Sequence, residues 1–221
     1  MPQLSKTWLV LGTFLATLVF PAWARTNHGE YSQLVVSVYD SVGIPRTALA
    51  QAEREAEKIF KPAGVNVLWM NCPTAATRQR DSTALTPPDC GLVEWPNHLA
   101  LRIVPGTNRF TNEVFGVAFL SGEGVGCYSD VFYDHATGLH AESNVSVANI
   151  LGNVIAHELG HLLLGSNSHA LSGIMKARWE GKELDRVAKG GLSFNAEQAE
   201  HIRERLIDSE PPVAVTALAR Y

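Results

Sequence analysis

The strongest constraint in this chain is the segment His157-Glu158-Leu159-Gly160-His161, which lies near the end of a long apolar stretch with helical periodicity. On a helix, residues four apart lie on one face, one turn above the other, so His157 and His161 can bind one metal ion. Zinc accepts imidazole nitrogens at about 2.0–2.1 Å. Glu158 is then predicted to act as general base on a metal-activated water. The segment therefore predicts a zinc hydrolase that works without a covalent intermediate.

The helix predicted over residues 145–164 is rich in Val, Ile and Leu. Four polar residues interrupt it at intervals of four: Asn149, Asn153, His157 and His161. A helix that is apolar on most sides is buried, and buried polar side chains are costly unless they find partners. We therefore expect this polar stripe to face a cleft, a metal ion or water. Gly165 follows at a position where helices often end in a left-handed residue, so the chain can turn sharply there.

A third zinc ligand is needed, because catalytic zinc usually takes three protein ligands and one water. His169 is the favoured candidate, since it follows the helix-ending glycine by four residues. Glu180 and Glu183 are the alternatives, because some zinc peptidases take a downstream helical glutamate. The segment that holds these two glutamates contains a glycine and lacks clear helical character. Met175, in a short turn after His169, is a flexible apolar side chain.

Residues 157–175, HELGHLLLGSNSHALSGIM, resemble the signature of the metzincin metallopeptidases. That signature is a zinc-binding HExxH helix, a glycine turn, a third histidine ligand and a methionine turn beneath the metal. The resemblance implies zinc (Zn²⁺) on His157, His161 and His169, Glu158 as general base, and Met175 as the methionine turn. The usual pattern is HExxHxxGxxH, whereas the loop to the third histidine is two residues longer here.

Hydrophobic periodicity predicts one α/β domain. Strands are predicted at 33–38, 65–70, 99–104, 114–120 and 129–133, helices at 47–60, 145–164 and 196–207, and a loop at 73–97. The first two strands and the helix between them have the spacing of a right-handed parallel crossover. The resemblance implies a metzincin-like fold, a twisted mixed five-stranded sheet with an active-site helix and a C-terminal helix. It also implies that 114–120 is an edge strand that pairs with extended substrates.

The first 24 residues have the layout of a secretory signal peptide. Lys6 precedes an uncharged apolar run over residues 8–20, and Ala22-Trp23-Ala24 places small residues before a cleavage site. The run is shorter than the roughly 20 residues that span a bilayer, which disfavours an uncleaved anchor. We expect a signal peptide at 1–24, the domain at 25–210 and a tail at 211–221. The mature protein is expected to be secreted or periplasmic, with no stable membrane span.

Export permits disulfides, and all three cysteines follow the signal. Cys72 and Cys90 bracket a polar stretch rich in Pro and Thr and are the favoured pair, while pairings with Cys127 stay open. An unpaired Cys127 is expected to be a structural thiol rather than a metal ligand. The net charge is −4 and no run is rich in Lys or Arg, which argues against nucleic acid as a partner.

Together these features predict a secreted zinc-dependent endopeptidase that hydrolyses protein or peptide substrates. The alternative is a catalytically silent, metzincin-like zinc-binding or interaction module. Glu158 favours the enzyme, because a purely structural zinc site has no need of that carboxylate. The remaining histidines lack ligand spacing and are predicted to be surface or loop residues: His28, His98, His135, His140 and His201.

Overall fold

A mixed β-sheet with helices packed around it forms the described part of the computed structural model, residues 31–80, 87, 89–106 and 113–209. The strands are β1 (Ser32–Asp40), β2 (Val65–Cys72), β3 (His98–Val104), β4 (Gly116–Phe119) and β5 (Tyr128–Phe132). The helices are α1 (Arg46–Phe60), α2 (Ala75–Arg80), α3 (Tyr133–Ser143), α4 (Val147–Leu164), α5 (Lys182–Lys189) and α6 (Ala196–Asp208). The predicted single α/β domain is confirmed, while the predicted signal peptide and tail (1–24 and 211–221) lie outside the described residues.

The five strands follow the order β2-β1-β3-β5-β4 across the sheet. β1 pairs in parallel with β2 and β3, and β3 pairs in parallel with β5. β4 pairs antiparallel with β5 and ends the sheet, so the sheet is mixed, as predicted. Helix α1 connects β1 to β2, because parallel neighbours need a crossover that returns the chain to the same end. The strand predicted at 114–120 is shorter than expected, and it lies at the sheet edge.

Three helices were missed by the sequence analysis. α2 lies inside the segment predicted as a loop, α3 follows β5 directly, and α5 begins at Lys182, so it includes the last two residues of segment 179–183, for which no helix is predicted. α3 buries only His135 and Ala136, and α5 buries only Val187. Neither helix therefore carries the apolar stripe from which a helix is recognised. The last helix was predicted correctly, and it begins with the expected capping box between Asn195 and Gln198.

Helix α4 is the central element of the core. Its fully buried side chains include Ile150, Leu151, Ile155, Leu159 and Leu162. It packs closely on α1 at Gly152, where an added Cβ would lie 2.5 Å from the carbonyl oxygen of Ala52. By length and composition alone α4 is also long and apolar enough to cross a membrane, but 83% of that window is buried inside the fold. Core packing accounts for its apolar surface.

The C-terminal end of α4, which carries His161, is held by side chains from distant segments. The last carbonyl groups of a helix have no partner within it. Trp95 donates its indole N–H to the Leu162 carbonyl (3.2 Å), and Arg205 donates from Nη1 to the Leu163 carbonyl (2.7 Å). Gly165 then adopts the left-handed conformation (φ 66°) and reverses the chain, as predicted. The position of His161 is therefore fixed by the tertiary structure.

A disulfide joins Cys72 at the end of β2 to Cys90, with their Cα atoms 5.7 Å apart. This is the pairing that the sequence favoured. Cys127 is free and half-buried, and burial raises the pKa of its thiol. Because the thiolate is the form that binds metals, a raised pKa makes Cys127 a poor ligand.

Candidate metal centre

The structure brings the three histidines predicted as ligands together at one point. Their ligand nitrogens all lie within 4.8 Å of one another. His157 and His161 are buried on successive turns of α4, whereas His169 is exposed on the loop that follows Gly165. For comparison, nitrogens bound to one tetrahedral zinc ion are about 3.3 Å apart. The His157 and His161 nitrogens are already near this spacing at 3.0 Å, so small movements of the rings suffice for all three imidazoles to share one ion.

Backbone carbonyls set the tautomers of the two helical histidines. His157 Nδ1 lies 2.7 Å from the Ile174 oxygen, and His161 Nδ1 lies 2.7 Å from the Ser166 oxygen. A carbonyl only accepts hydrogen bonds, so each Nδ1 carries the proton and donates it. Each Nε2 of the neutral rings then presents a lone pair, and these two atoms face each other at 3.0 Å. No proton bridges them, so the geometry fits a cation bound between them.

Burial keeps both helical histidines neutral at neutral pH. Burial, and secondarily the neighbouring His161, lowers the pKa of His157 to about 3. Burial also lowers the pKa of His161. Neutral imidazole is the form that ligates a metal, so neither ring has to lose a proton before the metal binds.

The Glu158 side chain lies against the bare backbone of the edge strand. It is 5% exposed, and a Cβ added to Gly116 of β4 would lie 2.6 Å from its Cγ and 2.7 Å from its Cδ. Only glycine at position 116 therefore leaves room for this carboxyl group. Burial raises the pKa of Glu158 to about 8, near the neutral range in which a group can both accept and release a proton.

The segment around Met175 packs against α4 and contacts the residues that position the histidines. The Met175 side chain is fully buried, and its sulfur lies 2.7 Å from the position that a Cβ of Gly160 would occupy. Its carbonyl oxygen accepts a hydrogen bond from the Ala170 N–H (2.7 Å), next to His169. The preceding Ile174 carbonyl holds His157. This turn therefore positions one helical histidine and the loop that carries the third.

The two alternative ligands predicted from the sequence lie outside the histidine group. Glu183 lies on α5, the helix that the sequence did not predict, and its carboxylate forms an ion pair with Lys176 (3.0 Å). Glu180 is exposed on the rim of the neighbouring cleft. Among the described residues, the group that can share one ion with His157 and His161 is completed by His169.

The polar stripe of α4 has two different environments. His157 and His161 line the cleft, one of the environments expected for the stripe. Asn149, in contrast, donates its amide hydrogens to the carbonyls of Val187 and Ala188 at the C-terminal end of α5. Asn153 donates to the Asn149 carbonyl (2.9 Å). Asn149 therefore connects α4 to α5 rather than facing the cleft, and no sequence pattern predicted α5.

The histidines open onto a cleft of about 980 Å³ between β4, α3, α4 and the segment after Met175. Trp179, from that segment, packs its ring edge against His157 with centroids 5.9 Å apart. At the rim, Arg178 and Glu113 form an ion pair between two exposed side chains. The cleft can hold several residues of an extended peptide.

Sequence reasoning missed two residues that shape this cleft, Gly116 and His135. The prediction that His135 is a surface or loop residue was wrong, because the side chain is 8% exposed and lines the cleft. Its Nδ1 lies 2.5 Å from the Val114 carbonyl oxygen, 21 residues earlier in the chain. The partners of both residues are distant in sequence and carry no local signal. Only the fold brings them together.

No protein-family model matches the chain, and no curated protein matches it either. Among solved structures, the chain is similar to a zinc-dependent peptidase from Methanocorpusculum labreanum, with 16% identity and a TM-score of 0.48 over 76% of this chain and 99% of that one. It is also similar to archaemetzincin from Methanopyrus kandleri, with 16% identity and a TM-score of 0.46 over 82% and 99%. At these values the functional argument depends on the residues of the site itself.

Proposed function

We propose that this protein is a secreted zinc-dependent endopeptidase of the metzincin type. One observation carries the proposal. Two neutral imidazoles direct unprotonated Nε2 atoms at each other at 3.0 Å, next to a buried carboxyl group that borders an open cleft. This is the donor set and the acid–base group that metal-assisted hydrolysis requires.

In this proposal His157, His161 and His169 hold the zinc ion. Imidazole nitrogens suit zinc, and three protein ligands leave one coordination position for water or substrate. When bound, zinc supplies Lewis acidity, which polarises a carbonyl group and lowers the pKa of a water molecule. The Ile174 and Ser166 carbonyls fix the orientation of the two helical rings, as expected of groups that support metal ligands.

Glu158 is the proposed general base. Its carboxylate accepts a proton from the attacking water and delivers that proton to the amine that leaves when the peptide bond breaks. The position of Gly116 supports this role, because the glycine leaves space for the carboxyl group beside β4.

Protein and peptide substrates are proposed to bind along β4. This strand ends the sheet on the side of the cleft, and its Gly116 and Val117 line that cleft. An extended peptide can add to a sheet edge through main-chain hydrogen bonds, which every peptide segment offers. Recognition of the main chain does not require a terminus, and it therefore suits cleavage inside a chain.

Export is part of the proposal and derives from residues 1–24, which have the pattern of a signal peptide. The Cys72–Cys90 disulfide is compatible with an oxidising compartment such as the periplasm or the extracellular space. Expression of the full chain followed by N-terminal sequencing of the exported product tests this part. A product that begins at Arg25 is expected, and a retained N-terminus would contradict it.

The function is tested by incubating residues 25–221, loaded with zinc, with an unfolded protein. We expect cleavage that a chelator stops and that added zinc restores. Glu158→Gln should keep its zinc and lose roughly 10²–10⁴ in rate, because it removes only the proton acceptor. An intact substrate beside one bound zinc per chain would instead favour the silent zinc-binding module, and X-ray absorption would then be expected to show a closed four-ligand shell.

A further inference from the structure

One wall of the cleft is a face of α3 that the proposed reaction does not use. Asp134, Gly138 and Glu142 follow one another at intervals of four and all line the cleft, so they share one side of the helix. Both carboxylates are exposed. Within the part of the chain that the structure describes, nothing lies within 4 Å of the position that a Cβ of Gly138 would occupy. We call these three residues and the adjacent His135 the α3 face; its centre is an open notch between two carboxylates.

His135 adds an unpartnered polar group to the α3 face. The residue is 8% exposed, and its Nδ1 donates to the Val114 carbonyl. Among the described residues, Nε2 has no hydrogen-bond partner, and in the neutral ring it presents a lone pair. A Cβ at Gly106, which also lines the cleft, would lie 3.1 Å from Nε2. The absence of a side chain at Gly106 therefore leaves this nitrogen accessible from the cleft.

The chemistry of the α3 face is that of hydrogen-bond acceptors. Among the described residues, Asp134 accepts a hydrogen bond from the Gly106 N–H (3.0 Å), and neither Asp134 nor Glu142 has a basic partner. The two basic side chains of the described cleft lining are already paired, Lys176 with Glu183 and Arg178 with Glu113. Two carboxylates and a ring nitrogen complement a cation that carries several donors. A guanidinium group has five N–H donors, and an ammonium group has three.

The α3 face lies close to the proposed general base. Val114, which holds His135, precedes Gly116 by two residues, and Gly116 contacts Glu158. Two residues of chain span at most about 7 Å. A peptide extended along β4 advances about 3.4 Å per residue. A substrate side chain within about two residues of the cleaved bond can therefore reach the α3 face.

We propose that the α3 face is a subsite for an arginine or lysine side chain of the substrate, next to the cleaved peptide bond. This proposal rests on the proposed peptidase function and names its substrate class. The alkyl part of the substrate side chain lies over the notch at Gly138, and its charged end lies between Asp134 and Glu142. His135 Nε2 accepts one of its donors.

The first test compares peptides that differ in one charge. A peptide library digested by the zinc-loaded protein locates the position, within about two residues of the cut, that prefers Arg or Lys. Two peptides then carry arginine or citrulline there, since citrulline keeps the shape and removes the charge. We expect arginine to raise kcat/KM, and the Asp134→Asn/Glu142→Gln double variant to lower that arginine-to-citrulline ratio about tenfold. Glu204→Gln on α6, which makes the same type of change away from the cleft, should leave the ratio unaltered.

A second test fills the notch. Gly138→Ala adds a small side chain to open space, whereas Gly138→Met adds one long enough to occupy the notch. Both substitutions replace a helical glycine and should preserve the fold, which thermal unfolding checks. We expect Gly138→Met to lower the arginine-to-citrulline ratio further than Gly138→Ala does. Equal ratios in the parent and the Met variant would overturn the subsite.

The outcomes separate this proposal from the proposed function. Chelator-sensitive cleavage without preference for a basic residue would overturn the subsite and leave the peptidase standing. If no peptide is cut, the peptidase proposal fails. Binding of the labelled arginine and citrulline peptides to the zinc-loaded protein, measured by fluorescence anisotropy, then tests whether the subsite exists. Tighter binding of the arginine peptide, lost in the double variant, supports the subsite. Equal binding of the two peptides overturns it.

Discussion

The two walls of the cleft, α4 and α3, differ in how they are built. The α4 wall is buried, and its His157 and His161 are held by backbone carbonyls and backed by Met175. The α3 wall is mostly exposed, and Asp134, Gly138 and Glu142 contact few other groups. A group that must hold an ion in one geometry needs such support. A surface that selects side chains does not, so we assign chemistry to the α4 wall and selection to the α3 wall.

The largest effect is expected from the proposed metal ligands, His157 and His161 on α4 and the nearby His169. Zinc that binds only the folded protein stabilises it, by about 4 kcal/mol when free zinc is about 1,000 times Kd. His157→Ala and His169→Ala should each remove most of this gain, measured as the difference in Tm with and without zinc. His169 is exposed, so its variant should fold normally without metal. His201→Ala, an exposed histidine on α6, is the control.

A zinc-dependent Tm shift that persists in His169→Ala would contradict the proposed ligand set. Glu180 would then be the first candidate to test, since Glu183 is already paired with Lys176. The comparison of the two walls would survive this result, because it depends on His157 and His161.

A smaller effect is expected from Met175, which supports α4 from below. Met175→Ala removes a fully buried side chain that contacts Gly160, so it should lower the free energy of unfolding by about 2–5 kcal/mol through the cavity it leaves. Urea unfolding of the zinc-free protein measures this loss. Met175→Leu conserves most of the volume and should cost less than about 1.5 kcal/mol. Equal stability of the parent and the Ala variant would mean that the methionine gives the site no structural support.

The functional residues of the α4 wall could be predicted from the sequence, whereas those of the α3 wall could not. His157 and His161 are four residues apart on an apolar helix, so local geometry alone predicts that they face the same point. His169 could be predicted as the third member of the group because a glycine turn and a short loop connect it to that helix. The α3 wall depends on contacts between segments far apart in the chain, such as His135 with Val114 and Gly116 with Glu158. Helix α3 itself buries too few apolar residues to give a periodic signal.

In the sheet, too, some features could be predicted from the sequence and others could not. Strands β1 and β3 are rich in apolar residues because one face of each strand is fully buried, as at Leu34, Val36, Leu99 and Leu101, so their existence was predictable. The strand order was not predictable from these runs, because register and neighbours are set by packing across the whole sheet. The position of β4 at the edge was expected only from the resemblance to metzincins.

The smallest expected effects come from one glycine on each side of the cleft, and they have opposite signs. An alanine at Gly116 would place its Cβ 2.7 Å from the Asp130 carbonyl oxygen and within 2.7 Å of Glu158. We expect Gly116→Ala to destabilise the protein by about 1–3 kcal/mol through overpacking and to lower the rate of peptide cleavage. Gly138→Ala meets open space on a helix and should stabilise the protein by about 0.5–1 kcal/mol.

Urea unfolding of the parent and of the two alanine variants measures the change in the free energy of unfolding that each substitution causes. Destabilisation by both variants would mean that α3 is packed around Gly138 as tightly as β4 is packed around Gly116, and the assignment of α3 as an open selective surface would be wrong. If Gly116→Ala destabilises the protein and Gly138→Ala stabilises it, the added methyl group is unfavourable beside Glu158 and favourable on the open surface of α3. The notch at Gly138 would then be an open space that the helix keeps at a cost in stability, because glycine is a poor helix former. A local cost in stability is a feature that functional sites often show, so this result would agree with a binding role for the notch.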